Sequence, residues 1–447
     1  MRLTILGGGG FRVPLVYHAL LGDRGSGRIT DVVLYDTDTT RLSAITAVLR
    51  QQAADAVDAP VVTATTDLDE ALRGADFVFS AIRVGGLEGR TVDERVALDL
   101  GVLGQETVGA GGIAYGLRTL PVAVQVAQRI AAVAPEAWVI NFTNPAGMVT
   151  EAMIPYLGDR VIGICDSPSG LGRRAALALG VDPATAFYDY AGLNHLGWLR
   201  GLRSGGVDRL PELLESTDAL ASFEEGRLFG VEWLRSLGSI PNEYLHYYYF
   251  ARETLAAVQA VPQTRGTFLL EQQSAFYART GQQPDQALEL WQQTRAERES
   301  TYMVESRAVA DAGERDERDM AAGGYEQVAL SLMRAIAHNE RASLILNVRN
   351  RGVLHQLDDD AVIEIPCTVD ANGAVPLTVS QLTDHQAGLV CAVKAVERST
   401  IEAAATGSRS AAVRAFAWHP LVDSVTVAHR LLDTYAAELP GLGQFKH

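Results

Sequence analysis

The sequence predicts an α/β protein whose first half is a doubly wound parallel sheet, followed by a second α+β domain. Three observations carry that expectation. Short β-branched runs recur through the first half, helical stretches separate them, and the first run ends in a row of glycines. Strands that alternate with helices need crossover connections, and crossovers produce parallel pairing. In such sheets ligands bind beyond the carboxyl ends of the strands, so the residues just after each strand are the ones to inspect.

Taken in order, residues 3–6, 32–35, 77–82, 138–142 and 161–164 are largely apolar runs that stop at turn signals, as buried strands do. Residues 41–54 and 121–134 lie between them with apolar side chains at helical spacing. Beyond about residue 190 the pattern changes to long helical stretches at 245–261, 287–307 and 327–338, then strand-like runs at 344–348, 361–365 and 377–379. Two domains are expected, 1–190 and 191–447. The run 312–319 is dense in both signs of charge and reads as a solvated loop or helix face.

Composition narrows the function class. Hydrophobic residues make up 47% of the chain, far too many for a disordered protein. Thirty-eight basic against 54 acidic side chains give a formal net charge of −16, which argues against nucleic acid as a partner. Cys165, Cys367 and Cys391 lie far apart and cannot all pair, an intracellular pattern. The apolar run after Met1 is too short for a signal peptide. The stretch 122–140 is interrupted by Gln125, Gln128, Arg129, Pro135 and Glu136 and cannot span a bilayer. A cytoplasmic protein without a membrane partner is expected.

The first strand runs into Gly7-Gly8-Gly9-Gly10, then Phe11-Arg12-Val13-Pro14. Glycines there let the backbone approach a pyrophosphate at a helix N-terminus, and Pro14 suits a first helical turn. Asp36 ends the second strand, placed to accept from ribose hydroxyls, which favours NAD over NADP. The full G-x-G-x-x-G spacing is not met, yet the strand, glycines, helix start and acid fall in the order of a Rossmann-like cofactor site. Gly7, Gly8, Gly10, Phe11, Arg12 and Asp36 are therefore candidate cofactor contacts. Further strand ends carry Asn144 before Pro145, Cys165-Asp166 and His195. A thiolate and an imidazole together can hold a divalent transition metal, although each alone is more often a buried core residue. Tyr244 opens a tyrosine-rich stretch ending at Tyr249, a pattern more often core than catalysis, and Arg265 alone reads as a surface arginine.

In combination these segments resemble glycoside hydrolase family 4, the NAD-dependent exception to two-carboxylate glycoside hydrolysis, over nearly the whole chain. The matching runs are Ile82 to Gly86, Gly104-Gln105-Glu106-Thr107 with Gly109, Gly111 and Gly112, and Leu117-Arg118-Thr119. They continue through Asn141 to Gly147, Val149-Thr150-Glu151, Cys165-Asp166-x-Pro168 and Gly192 to His195. Pro241-x-x-Tyr244-Leu245 and Asn347 to Gly352 with Glu364-x-Pro366 complete the set.

The resemblance implies NAD and a divalent metal, typically Mn2+, as cofactors, and a C-terminal half like that of lactate and malate dehydrogenases. It makes Cys165 and His195 the metal ligands, Tyr244 the base that removes the sugar's C2 proton, and Asn144 a substrate contact. Arg83 falls in the cofactor set, and Arg90 and Arg265 become substrate contacts that include a 6-phosphate. The implied chemistry is hydride transfer from C3, loss of the C2 proton, elimination at C1, water addition and return of the hydride.

Two features depart from the family's usual motifs. Gly10 stands where serine is common, a change that leaves cofactor binding expected. Cys165-Asp166-Ser167-Pro168 matches neither the Cys-Asn-x-Pro of the β branch nor the Cys-Asp-Met-Pro of the α branch. Asp166 is taken as the acid for the leaving oxygen, with orientation of the metal site as its alternative. The expected activity is that of a 6-phospho-β-glucosidase on a phosphorylated disaccharide or aryl glucoside. The alternatives are a 6-phospho-α-glucosidase, an α-galactosidase or an α-glucuronidase, and, outside the class, a lactate/malate-type dehydrogenase. A homodimer or homotetramer is implied as well.

Overall fold

The computed structural model describes residues 1–25, 27–312 and 324–445. Its centre is one sheet built from β1 (Arg2–Leu6), β2 (Asp31–Tyr35), β3 (Val61–Thr65), β4 (Phe77–Ser80), β5 (Trp138–Asn141) and β6 (Val161–Gly163), all parallel. Their spatial order is β3-β2-β1-β4-β5-β6. The chain winds outward from β1 in both directions, which opens a crevice at the carboxyl ends of β1 and β4. Leu3, Ile5, Val32, Leu34, Phe77 and Phe79 are nearly or fully buried, so the continuous apolar runs read as strands covered on both faces. The expected doubly wound arrangement is present. β3 was not evident in the sequence because its Val-Val-Thr-Ala-Thr run is half polar and mostly exposed at the sheet edge.

The sheet does not stop where the first half ends. β7 (Phe187–Leu193) and β8 (Leu196–Ser204) form a hairpin, extended by β9 (Val207–Asp208) and β10 (Ile240–Pro241). β11 (Ala342–Arg349) and β12 (Val362–Asp370) run antiparallel beside β6, and β13 (Gly373–Pro376) pairs with β12. Within the sheet, β11 meets β6 at a single register pair, Asn347 with Gly163, and β12 meets β7 at another, Glu364 with Gly192. The division expected at residues 190/191 falls inside β7.

Three details differ from the periodicity. The 377–379 run is not a strand: pairing covers Gly373–Pro376, and Leu377 adds only its amide to the Pro366 carbonyl. The 245–261 stretch divides at Phe250 into the helices His246–Tyr249 and Ala251–Ala260. The 287–307 stretch breaks after the helix Ala287–Ser300, where Thr301 bonds back to the Glu297 and Arg298 carbonyls and Met303 takes a left-handed φ of 50°. The charge-dense run lies outside the described residues from position 313 onward. A second core forms where the helices Asp384–Thr406, Arg409–Trp418 and Val425–Glu438 pack on Gly86–Asp99 and Gly109–Val133. No helix among the described residues is long and apolar enough to cross a membrane. All three cysteines are free.

Candidate active site

A cavity of about 620 Å3 opens at the carboxyl ends of β1, β2, β4 and β6. Every expected site residue lines it except Gly8 and Arg265. The glycine turn forms its first edge. Gly7 has φ of +82°, and a Cβ there would lie 2.6 Å from the Ala81 carbonyl oxygen, so only glycine fits. Gly8 faces β2 instead, where a side chain would strike Leu34. The turn is held from behind by rings of the second half. Tyr277, Trp291 and Tyr325 donate to the carbonyls of Gly9, Phe11 and Arg12 at 2.7, 2.8 and 2.7 Å. Asp36 accepts from the Gly9 amide at 3.0 Å and still borders the cavity.

Cys165 follows β6, and His195 is the second loop residue of the β7–β8 hairpin, where it takes a φ of +62°. A non-glycine residue in that region is strained, and such strain gathers where a side chain must be aimed. Thr107 Oγ1 meets His195 Nδ1 at 3.0 Å, leaving Nε2 as the free ring nitrogen. Burial pushes the His195 pKa down to about 4, so the imidazole is neutral and able to ligate a metal. Burial, with the nearby Glu364 and Asp166, pushes the Cys165 thiol well above its ordinary value. A divalent cation reverses that balance, since it favours the thiolate it binds. Asn144 adds a buried Oδ1 without a hydrogen-bond partner, an acceptor aimed into the same space. No group of three or more His, Cys, Asp or Glu suited to a metal occurs among the described residues. The pair therefore offers two protein donors and leaves other coordination positions for oxygen ligands, so the residues present fit a divalent metal.

Tyr244 comes from a short 3-10 turn, Glu243–Leu245, and its ring stacks on His195 at 3.6 Å between centroids and 6° between planes. Burial and the neighbouring Glu243 push its pKa well above the ordinary phenol value. Asp166 begins the helix Ser167–Ala178 and pairs with Arg12 at 3.9 Å. Arg12 lies over the rings of Tyr325 and Phe142.

The arginines separate into two kinds. Arg83 and Arg90 both reach Glu106, at 2.6 and 2.8 Å, and Arg90 also pairs with Glu94 at 2.8 Å. Burial opposes charge on Glu106, but Arg90 and Arg83 outweigh it and hold the carboxyl at about 2. Arg265 lies in a smaller adjoining cavity and donates to Thr301 Oγ1 at 2.5 Å and to the Arg298 carbonyl at 2.8 Å. Arg298 borders both cavities. Its side chain makes no ion pair or hydrogen bond among the described residues. Burial, then Arg12 and Arg265, push its pKa down to about 9, with Glu106 pulling the other way. Such a cation calls for an anion from outside.

Sequence reasoning missed Arg298, because an arginine within Arg295-Ala296-Glu297-Arg298-Glu299 reads as a solvated helix face. It also gave no separate role to Glu364, which lies within a matching motif. Glu364 accepts from Tyr190 at 3.1 Å, Asn194 at 3.1 Å and Asn347 at 3.0 Å, behind the His195 loop. Burial raises its carboxyl to about 7 against those donors.

The fold defines an α/β enzyme of the dinucleotide-binding kind, and the thiol–imidazole pair at its strand ends separates it from a plain dehydrogenase. The chain belongs to glycosyl hydrolase family 4: the Family 4 glycosyl hydrolase model matches residues 2–181, and the Family 4 glycosyl hydrolase C-terminal domain model matches 190–422. It is 34% identical to a Bacillus subtilis (strain 168) protein named "Probable 6-phospho-beta-glucosidase", over 83% of this chain and 80% of that one. It is 30% identical to the maltose-6'-phosphate glucosidase of the same organism, over 96% and 94%. Among solved structures, the 6-phospho-beta glucosidase of Thermotoga maritima with manganese, NAD+ and glucose-6-phosphate superposes with a TM-score of 0.81. That protein shares 28% identity, with 98% of each chain covered.

Proposed function

We propose that the enzyme hydrolyses 6-phospho-β-glucosides, using NAD and Mn2+ or another divalent metal. The observation that carries this reading is the meeting, in one cavity, of Cys165, His195 and Tyr244 with the unpaired Arg298. Greater identity to the β-named relative, 34%, than to the maltose-6'-phosphate glucosidase, 30%, supports the anomer. When bound, NAD+ would exchange a hydride with C3 of the sugar, and the metal would offset negative charge on the neighbouring oxygens.

The chain's own residues do the rest. Gly7, Gly10, Phe11 and Arg12 would bind the pyrophosphate and Asp36 the ribose, with Arg83 beside them; Gly8 supports the turn. Cys165 Sγ and His195 Nε2 would hold the metal, and Asn144 Oδ1 would orient the sugar. Tyr244 Oη takes the C2 proton, and Asp166 supplies one to the leaving oxygen. Arg298 receives the 6-phosphate. Arg90 and Arg265 flank it from fixed positions, since their own partners already orient them. A net charge of −16 repels an anion at long range, but salt screens this beyond about 8 Å, and the local guanidinium groups then dominate. Three unpaired cysteines suit the cytoplasm, and a homodimer or homotetramer is inferred.

The test is to assay aryl α- and β-glucosides, each with and without a 6-phosphate, in the presence of NAD+ and Mn2+. The 6-phospho-β-glucoside should be cleaved fastest, with exchange of its C2 hydrogen into deuterated solvent. Preference for the α-anomer, or for the sugar without phosphate, would overturn the corresponding part.

A further inference from the structure

The hydrogen bonding does not end at Tyr244. Tyr302, in the break after the helix Ala287–Ser300, places its hydroxyl 3.3 Å from the Tyr244 hydroxyl and donates to Glu243 Oε1 at 2.8 Å. Ser167 Oγ donates to the same oxygen at 3.2 Å. The direction of this chain follows from the inventory of hydrogens. A carboxylate only accepts, and Tyr302 has one hydrogen, already committed to Glu243. The Tyr302 oxygen therefore accepts from Tyr244, and the wire runs Tyr244 O–H to Tyr302 O–H to Glu243. Glu243 is 4% exposed and does not line the substrate cavity, whereas Tyr244 does.

We propose that Glu243 is the terminal acceptor of the substrate's C2 proton, reached through Tyr244 and Tyr302. The inference rests on the glycosidase reading above. In the step, the C2 proton moves to Tyr244 Oη as the Tyr244 proton moves to Tyr302 Oη and the Tyr302 proton moves to Glu243 Oε1. One C–H and two O–H bonds break, and three O–H bonds form. The C2–H electron pair becomes the C2–C3 double bond of the enolate, so the negative charge leaves Glu243 and appears on the substrate. No resting charge is required on the Tyr244 oxygen, which sits in a buried site between His195 and Tyr302. Tyr302 and Glu243 are thus positioning residues that act through Tyr244.

The test compares Tyr302→Phe and Glu243→Gln with the wild type. The probe is an aryl 6-phospho-β-glucoside, unlabelled or deuterated at C2, with NAD+ and Mn2+. Each variant should lose about 100-fold in kcat, with KM and the affinities for NAD+ and Mn2+ within about two-fold of wild type. The C2 isotope effect should rise, and bound NADH should accumulate after rapid mixing, because C3 hydride transfer now outpaces C2 proton loss. Unchanged kcat and isotope effect, or equal slowing of hydride transfer and C2 exchange, would overturn the wire. If the wild type itself exchanges no C2 hydrogen, the glycosidase reading fails together with the wire. Wild-type exchange with indifferent variants removes the wire alone.

Discussion

The cavity has two walls of different construction. On the parallel-sheet side, the glycine turn, Asp36, Asn144 and Cys165 sit where strands end, and the backbone sets their positions. On the helical side, Tyr244 and Tyr302 are held by each other and by the Glu243 carboxylate, and the unpaired Arg298 stands near the end of the helix Ala287–Ser300. The first wall is preorganised by the fold and suits a cofactor common to many reactions. The second is tuned by side-chain pairing and carries the specific chemistry.

The sharpest way to separate the walls is Tyr244→Phe. It should lower kcat on a 6-phospho-β-glucoside by about 100- to 10,000-fold while NAD+ affinity stays near wild type, measured by steady-state kinetics and cofactor titration. A comparable loss of NAD+ binding would mean that the walls are not independent. Cys165→Ser cuts the other wall. Mn2+ affinity, followed by electron paramagnetic resonance, should fall by about 100-fold or more, with the aromatic clamp on the glycine turn undisturbed.

This division also explains what the sequence disclosed. The strand-end wall was legible because periodicity locates strands and strand ends locate residues: Cys165 and Asp36 could be placed without coordinates. The helical wall was legible only in part. Tyr244 and Arg265 were reached through resemblance, and Arg298 and Tyr302 were not reached at all. Arg298 depends on being a guanidinium buried at the cavity without an ion pair among the described residues, a property of its neighbours and not of its own segment. Tyr302 depends on a helix break that the apolar spacing of 287–307 conceals.

Arg298→Met tests that contrast within the helical wall. KM for the phosphorylated substrate should rise by about 10- to 100-fold, the worth of a charged hydrogen bond or two, while an unphosphorylated glucoside is barely affected. Equal effects on both substrates would show that Arg298 shapes the cavity without receiving the phosphate.

The smallest expected effect concerns the joint between the walls. His419, near the C-terminal helices, accepts at Nε2 from the Gly109 amide at 3.2 Å and faces Tyr248 Oη at 3.4 Å. Gly109 begins the helix that follows Thr107, the residue fixing His195. Burial pushes the His419 pKa down to about 3, below its ordinary value of 6.5. A depressed histidine pKa means that, below pH 6.5, the unfolded chain binds a proton the fold excludes. Stability should therefore be full above pH 6.5 and fall on acidification, by up to about 1.4 kcal/mol per pH unit from this group, until the pH nears 3. Denaturant midpoints for wild type and His419→Gln at pH 7 and pH 5 measure the slope. The glutamine keeps an acceptor for Gly109 but cannot take up the proton, so its profile should be flatter. Parallel profiles would assign the acid sensitivity to other buried groups, of which His246, pushed down to about 4 by its own burial against the opposing pull of Glu253, is the next to test.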